Sequence, residues 1–176
     1  MDRIFKAAQG SAQLTEESKD SQGLIEPFFS FDRLLGLFYA NTYHRRAVQL
    51  KASLLSNIED GSKLEGGVMT PKDFLYAFIL NLEIFGNAFV EIAGKNLYIL
   101  PSIEARVNES KEIFQVKNNK SIALNAKHLY YYSPNSRFYG EPDYLAAMLS
   151  ILTNQKADSF NNAFLKTPPA PIRPYL

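Results

Sequence analysis

Apolar residues recur at helical spacing in two neighbouring segments of the chain. In the first segment they lie three and four positions apart: Phe31, Leu34, Leu35, Phe38 and Tyr39. This spacing predicts one apolar helix face, with Ser30 as the N-cap residue. A second helix should follow from Thr42, another candidate N-cap, with its apolar residues on one side: Ala47, Leu50, Leu54 and Leu55.

A third helix has a clear start and a clear end in the sequence. Thr70 offers an N-cap, Pro71 suits the first helical position, and Asp73 places an acid in the first turn. Gly86 stands where a helix commonly ends in a left-handed residue. The residues between are apolar nearly all round, which predicts a central, buried helix.

Alternating apolar residues then predict strands. Residues 87–92 and 97–100 flank a tight turn at 93–96 and should form a hairpin that Pro101 closes. Two short strands are predicted near 105–107 and 112–116, and another over 128–132.

A long helix is predicted from Pro142 to about Lys166. Its apolar positions are Leu145, Met148, Leu149, Leu152, Phe160 and Phe164. The fold class is therefore α+β, with N-terminal helices, a small antiparallel sheet and one long C-terminal helix.

Composition divides the chain into three regions. Residues 1–23 are polar and aperiodic, which predicts a flexible N-terminal arm. Residues 24–166 form the α+β domain, and the segment from Gly23 to Phe29 should lie extended against its core because Pro27 interrupts it. Residues 167–176 contain four prolines and favour a polyproline II-like tail.

Charge and residue types exclude several kinds of site. The net charge is +1, which gives no support for binding nucleic acid or membrane through bulk charge. The chain has no cysteine and only two histidines, so neither a thiolate nor a histidine-based metal site is expected, and no motif indicates a cofactor. The longest apolar stretch is much shorter than the roughly 20 residues that span a bilayer.

Two histidines are the remaining candidates for chemistry. His44 lies beside Arg45 and Arg46, and a solvated basic helix turn is favoured over a contact with a phosphate or DNA backbone. His128 opens a strand, where a bond to backbone or water is favoured over a catalytic role. A small hydrolase-type enzyme using His44 and His128 is thus the weaker hypothesis, and no catalytic residue is assigned.

The Pro-rich tail supports a different hypothesis. Residues 168–171 and 171–174 have the spacing of ligands for aromatic grooves, so the chain could act as an interaction adaptor.

Several motifs occur together in one order along the chain. They include FILNLEIFGNAFVE at 78–91, LYILP at 97–101, HLYYY at 128–132 and FYGEPDYLAA at 138–147. In this series the chain resembles phage portal proteins of the PBSX-like group, from about Phe28 to Phe164. The residues that carry the resemblance are Gly86, Asn87, Pro101, His128, Tyr139, Gly140, Pro142, Tyr144 and Leu145.

The resemblance implies a structural, non-enzymatic subunit of the portal wing. Such a subunit belongs to a head–tail connector ring, typically of twelve copies, at one capsid vertex. Its implied partners are capsid and scaffold proteins, terminase, the tail connector and, non-specifically, the double-stranded DNA in the channel. The implied location is the virion, and the bacterial host cytoplasm during assembly.

The chain departs from the family after Phe164. Portal stem and clip regions would follow there, whereas this sequence continues with Leu-Lys-Thr-Pro-Pro-Ala-Pro and ends shortly afterwards. We therefore expect a truncated or prophage-remnant form.

The segment from Arg137 to Leu149 is interpreted as a strand-to-helix joint. Tyr139 should pack on the preceding sheet, and Gly140 should adopt a backbone angle that other residues resist. Glu141 and Asp143 should lie near the amides at the helix start.

Overall fold

The computed structural model describes residues 18–57 and 69–166, which adopt the predicted α+β class. Within these ranges the α-helices are α1 Phe31–Ala40, α2 Thr42–Ser56, α3 Pro71–Phe85 and α4 Met148–Lys166. The strands are β1 Asn87–Ala93, β2 Asn96–Leu100, β3 Ala105–Val107, β4 Ile113–Lys117, β5 Lys120–Leu124 and β6 Ala126–Tyr130. The tail at 167–176 and most of the arm at 1–23 lie outside the described residues.

The strands form two three-stranded antiparallel sheets rather than one small sheet. The first sheet has the order β2-β1-β6 and the second the order β3-β4-β5. Strand β5 was not predicted, although Asn118 and Asn119 both have positive φ, as in a two-residue hairpin turn. Strand β6 also begins and ends two residues earlier than predicted.

Helix α3 forms as its end signals predict. The Thr70 hydroxyl accepts a hydrogen bond from the Asp73 amide, and Gly86 ends the helix with φ of 69°. The prediction of complete burial is wrong, because most of the helix is only half-buried and full burial is confined to Phe74 and residues 83–85.

The N-terminal segment of the described structure lies extended against the core, as predicted. Ile25 is buried and pairs with Val107 of β3, and Lys19 pairs antiparallel with Ile25. Helix α1 then packs through Phe31, Leu34 and Phe38, which confirms its predicted face except at Tyr39, which is exposed. Ser30 precedes α1, but its side chain makes no capping bond.

The apolar side of α2 faces solvent instead of the core. Tyr43, Leu50 and Leu54 are 76%, 53% and 65% exposed. The buried side carries His44, Val48, Ala52 and Ser56, which are spaced four residues apart and mostly small. Small side chains permit a close approach between α2 and α3, so the helix is held by its less apolar side. We call Tyr43, Ala47, Leu50 and Leu54 the outer stripe of α2.

Asn41, not Thr42, is the N-cap of α2. Its Oδ1 accepts the His44 amide at 2.8 Å, and its Nδ2 donates to the Ile151 carbonyl at 3.2 Å. The buried cap residue therefore also ties α2 to α4.

Helix α4 begins after a 3₁₀ turn at Asp143–Ala147 and is buried only near its start. Met148 and Ile151 are buried, whereas Leu149 and Phe160, both among the predicted apolar positions of the helix, are exposed. Leu149 therefore does not dock on the core as expected. From Thr153 onward nearly every residue with a described side chain is exposed. None of the described helices is both long and apolar enough to cross a membrane.

Candidate functional site

The side chain of Asn87 joins three segments at the end of α3. Asn87 is fully buried; its Nδ2 donates to the Phe85 carbonyl at 2.6 Å and to the Gly140 carbonyl at 2.9 Å. Its Oδ1 accepts the Gly140 amide at 2.8 Å. The carboxamide thus satisfies both backbone polar groups of Gly140, as a neighbouring strand would. An unpaired buried group of this kind costs about 1–3 kcal/mol.

Two glycines allow the backbones to meet at this junction. A Cβ on Gly86 would lie 2.5 Å from the Glu141 carbonyl carbon, and a Cβ on Gly140 would lie 2.4 Å from the Gly86 oxygen. The Tyr131 amide also donates to the Gly86 carbonyl at 2.9 Å. Gly140 does not have a positive φ, so the expected unusual backbone angle there is wrong. Its requirement is close approach.

His128 adds a ring to the same cluster. Its Nε2 lies 2.9 Å from Asn87 Oδ1, and its ring stacks on Phe89 with centroids 4.1 Å apart. Because the Asn87 nitrogen already faces two carbonyls, Oδ1 is the acceptor and Nε2 carries the proton. The favoured partner, backbone or water, is therefore replaced by a buried amide side chain.

Burial sets the protonation of His128. It lowers the pKa of the imidazole to about 4, and the positive charge of Lys111 acts in the same direction. The ring is therefore neutral at physiological pH.

Tyr139 connects the junction to the N-terminal segment. The buried phenol donates to the Ile25 carbonyl at 2.7 Å and accepts the Val107 amide at 3.0 Å. Its ring meets that of Phe31 edge-on at 5.7 Å. Tyr139 thus contacts β3 of the second sheet through Val107 and lies edge-on to the ring of His128 in β6 of the first sheet, with centroids 5.9 Å apart.

The remaining portal-like residues surround this junction. Pro142 is buried, the Tyr144 hydroxyl donates to the Ile84 carbonyl at 2.8 Å, and Leu145 packs on the core. Pro101 is exposed and precedes the 3₁₀ turn at Ser102–Glu104. Glu141 does not approach the helix amides; it accepts bonds from Ser133 and Asn135 in the preceding loop.

A second polar cluster centres on the buried carboxylate of Glu83. Lys51 Nζ lies 2.8 Å from Glu83 Oε2, and the Tyr131 hydroxyl donates to Glu83 Oε1 at 2.6 Å. Asp143 lies 3.5 Å from the same ammonium group. The hydrogen bond between Lys51 and Glu83 raises the pKa of Lys51. Burial, and then the hydrogen bond that Tyr131 donates to Glu83, raise the pKa of Tyr131. The cluster joins α2, α3 and the start of the 3₁₀ turn.

Sequence patterns did not identify this second cluster. Lys51, Glu83 and Tyr131 come from three distant segments, and a single acid within an apolar helix was the available signal. A buried acid is rare without a partner, so Glu83 within FILNLEIFG was the one residue from which a buried ion pair could have been inferred.

The structure separates the three basic residues at the start of α2. His44 is 8% exposed and its ring packs on that of Tyr144 at 4.2 Å, so the interpretation of a solvated turn is wrong for His44. Burial lowers its pKa, and Nε2 has no hydrogen-bond partner among the described residues. The Arg45 guanidinium lies 5.4 Å from the Tyr39 ring centroid, and Arg46 is exposed. A phosphate or DNA contact by Arg45 and Arg46 stays a prediction.

The described residues bring no catalytic group into contact with either histidine. His44 and His128 lie in separate clusters. The His128 ring bonds to Asn87, whereas the bond between His44 and Asn41 is donated by the His44 backbone amide. The same ranges contain no group of three histidine, aspartate or glutamate side chains that could hold a metal ion. The Pro-rich tail of the adaptor hypothesis lies outside the described residues.

Replacing Gly140 by alanine tests the close backbone approach. Because the new Cβ would meet backbone atoms of Gly86 and Tyr131, we expect a loss of about 3 kcal/mol or more in the free energy of unfolding. Urea denaturation followed by circular dichroism measures it. Gly36→Ala is the matched control, since nothing lies within 4 Å of that Cβ in α1 and alanine favours a helix. If Gly140→Ala were as stable as Gly36→Ala, the packing described would be contradicted.

Lowering the pH tests the neutral His128. Its folded pKa lies below the ordinary value of 6.5, so its contribution is complete above pH 6.5 and is lost as the pH falls towards 4. When the pH falls from about 7.5 to about 4.5, the free energy of unfolding should decrease by about 2–3 kcal/mol because of this residue. His128→Gln, which keeps an N–H donor but does not titrate, should reduce the pH dependence by that amount, whereas Lys127→Gln on the same strand should not. An unchanged pH dependence in His128→Gln would exclude His128 as its source.

No protein-family model and no curated protein matches the chain. Solved structures do match in fold. A chain from the virion of a native gene transfer agent particle has a TM-score of 0.74 at 15% identity, over 96% of this chain and 51% of that one. A chain from the neck of an empty particle, computed with C6 symmetry, has a TM-score of 0.74 at 14% identity. A chain from the neck of a native particle, computed with C12 symmetry, has a TM-score of 0.73 at 15% identity.

The likeness covers almost all of this chain and about half of each matched chain. At this level of identity it concerns the fold alone. The α+β fold of this chain is thus similar to the fold of part of each matched gene transfer agent chain.

Proposed function

We propose that this protein is a structural, non-enzymatic subunit of a phage-like head–tail connector. The observation that carries the proposal is the match in fold to neck and virion chains over 96% of the sequence. The corresponding region would be the wing of a portal protein. Virion localisation, and host cytoplasm during assembly, belong to this proposal.

The portal-like motifs support the proposal independently of the fold comparison. Gly86, Asn87 and Gly140 belong to the motif series of portal proteins, and in three dimensions they meet in one buried contact. Residues that are required for a close backbone contact are typical of a structural element rather than of an active site.

The outer stripe of α2 supports assembly into a homo-oligomer. Leucines and a tyrosine on one helix side are more than half exposed, whereas Val48 and Ala52 on the opposite side are buried. An exposed apolar stripe of this kind commonly marks a protein–protein contact. A closed ring, of about twelve copies by the portal resemblance, needs such a surface on every subunit, together with a different surface on the next. Capsid and scaffold proteins, terminase, the tail connector and channel DNA are further partners in the proposal.

Acidic substitutions in the outer stripe test self-association. Leu50→Asp with Leu54→Asp should shift the protein from oligomer to monomer in native mass spectrometry and sedimentation velocity, by about tenfold or more in dissociation constant. Because both positions are exposed in the single chain, the free energy of unfolding of the monomer should change little.

Thr42→Asp with Ser53→Asp is the matched control for this pair. It adds the same charge to the exposed part of the same helix, outside the outer stripe. The control should assemble like the unmodified chain. Equal assembly of the two double variants, or a strictly monomeric unmodified chain at every concentration, would contradict the role of the stripe.

Labelling of intact particles tests the location directly. A tagged chain produced in cells that assemble the particle should appear by immunogold electron microscopy at a single vertex, where head and tail meet. Label spread over the capsid, or absent from purified particles, would contradict a head–tail connector.

A further inference from the structure

One side of α4 carries apolar and small residues that no described residue covers. Because a helix turns by about 100° per residue, four exposed residues project from this side: Leu149, Thr153, Ala157 and Phe160. Leu149 is 63% exposed and Phe160 is 70% exposed. Lys156 borders this side, and its long side chain can reach solvent from there. The opposite side is polar and includes Asp158 and Asn162. We call the four residues the α4 stripe.

The outer stripe of α2 has the same length as the α4 stripe. Tyr43 and Leu54 are eleven positions apart, as are Leu149 and Phe160, and each distance is about 16 Å of helix. Both stripes also combine large side chains with a small one, Ala47 in α2 and Ala157 in α4. Large side chains of one helix pack beside small ones of its neighbour, so the two stripes suit a contact between helices.

The two stripes do not cover each other within one chain. The described contacts between α2 and α4 lie near the starts of the helices, where Asn41 bonds to the Ile151 carbonyl and the His44 ring packs on Tyr144 just before α4. Both stripes are exposed beyond these contacts. A second copy of the chain carries the matching surface for each of them.

The apolar area distinguishes two ways in which copies could meet. With about 180 Å² for a whole large side chain, the exposed parts amount to about 350 Å² on the outer stripe and about 250 Å² on the α4 stripe. A two-fold pair of outer stripes would cover about 700 Å² in total, which is below the roughly 1,200 Å² of stable interfaces, and would leave the α4 stripes in water. A head-to-tail contact between the two stripes covers both of them in every copy of a ring, about 600 Å² per copy instead of about 350 Å².

We infer that the α4 stripe of one copy lies on the outer stripe of α2 in the next copy. Every copy then offers one stripe to each of its two neighbours, which is the head-to-tail arrangement that can close into a ring. The inference rests on the proposed connector function, and it supplies the second surface that the outer stripe needs in such a ring.

A pair of introduced cysteines tests the contact between copies. The chain has no cysteine, so Ala47→Cys with Ala157→Cys places one thiol on each stripe and keeps the large apolar side chains. Ala47→Cys with Ser159→Cys is the matched control, because Ser159 is also exposed but lies on another side of α4. Oxidation in a glutathione redox buffer, followed by non-reducing electrophoresis and peptide mass spectrometry, identifies the positions that are joined. Sedimentation velocity under reducing conditions measures the self-association of the same variants.

The stripe pair should form a ladder of covalent oligomers through disulfides between positions 47 and 157, about tenfold or more faster than the control pair. The contact should have this effect because it raises the effective concentration of the two thiols. Disulfides that join only two positions 47, disulfides within one copy, or equal rates for the two pairs would overturn the inference. If the reduced chain still self-associates in those cases, the connector proposal stands. A chain that is monomeric at every concentration and forms no ladder would contradict both.

Discussion

The rest of the structure depends on one buried carboxamide. Asn87 bonds to both backbone groups of Gly140 and to the end of α3, and in doing so it fixes where the chain returns after β6. A hydrogen-bonded buried amide is stable only while all its partners are present. These bonds place the chain just before the 3₁₀ turn, and the bonds from Tyr144 to Ile84 and from Asn41 to Ile151 then hold the turn and the start of α4.

Helix α2 packs on the protein through one side and leaves its larger apolar side chains exposed. Its core-facing side carries His44, Val48, Ala52 and Ser56, all of which are buried. The larger apolar side chains remain outside. A single chain thus folds without them, and the free energy of burying them is still available for association.

Capping residues correctly predicted the ends of α3, whereas sequence patterns failed where contacts between distant residues determine the structure. Thr70, Pro71 and Gly86 fixed α3 because capping needs only neighbouring residues. The spacing of leucines in α2 could not show which side faces the core, because periodicity identifies an apolar side and not its partner. The bond between His128 and Asn87 joins residues 41 positions apart, and no spacing rule reaches that far.

The exposed second half of α4 has a mechanical consequence. A helix of 19 residues is about 28 Å long, and this one is anchored only near its start. A rotation of about 10° at the 3₁₀ turn would move its far end by about 5 Å, since displacement grows with distance from the pivot. Small changes in the contacts around Gly140 are thereby converted into a displacement of several ångströms at the far end of α4.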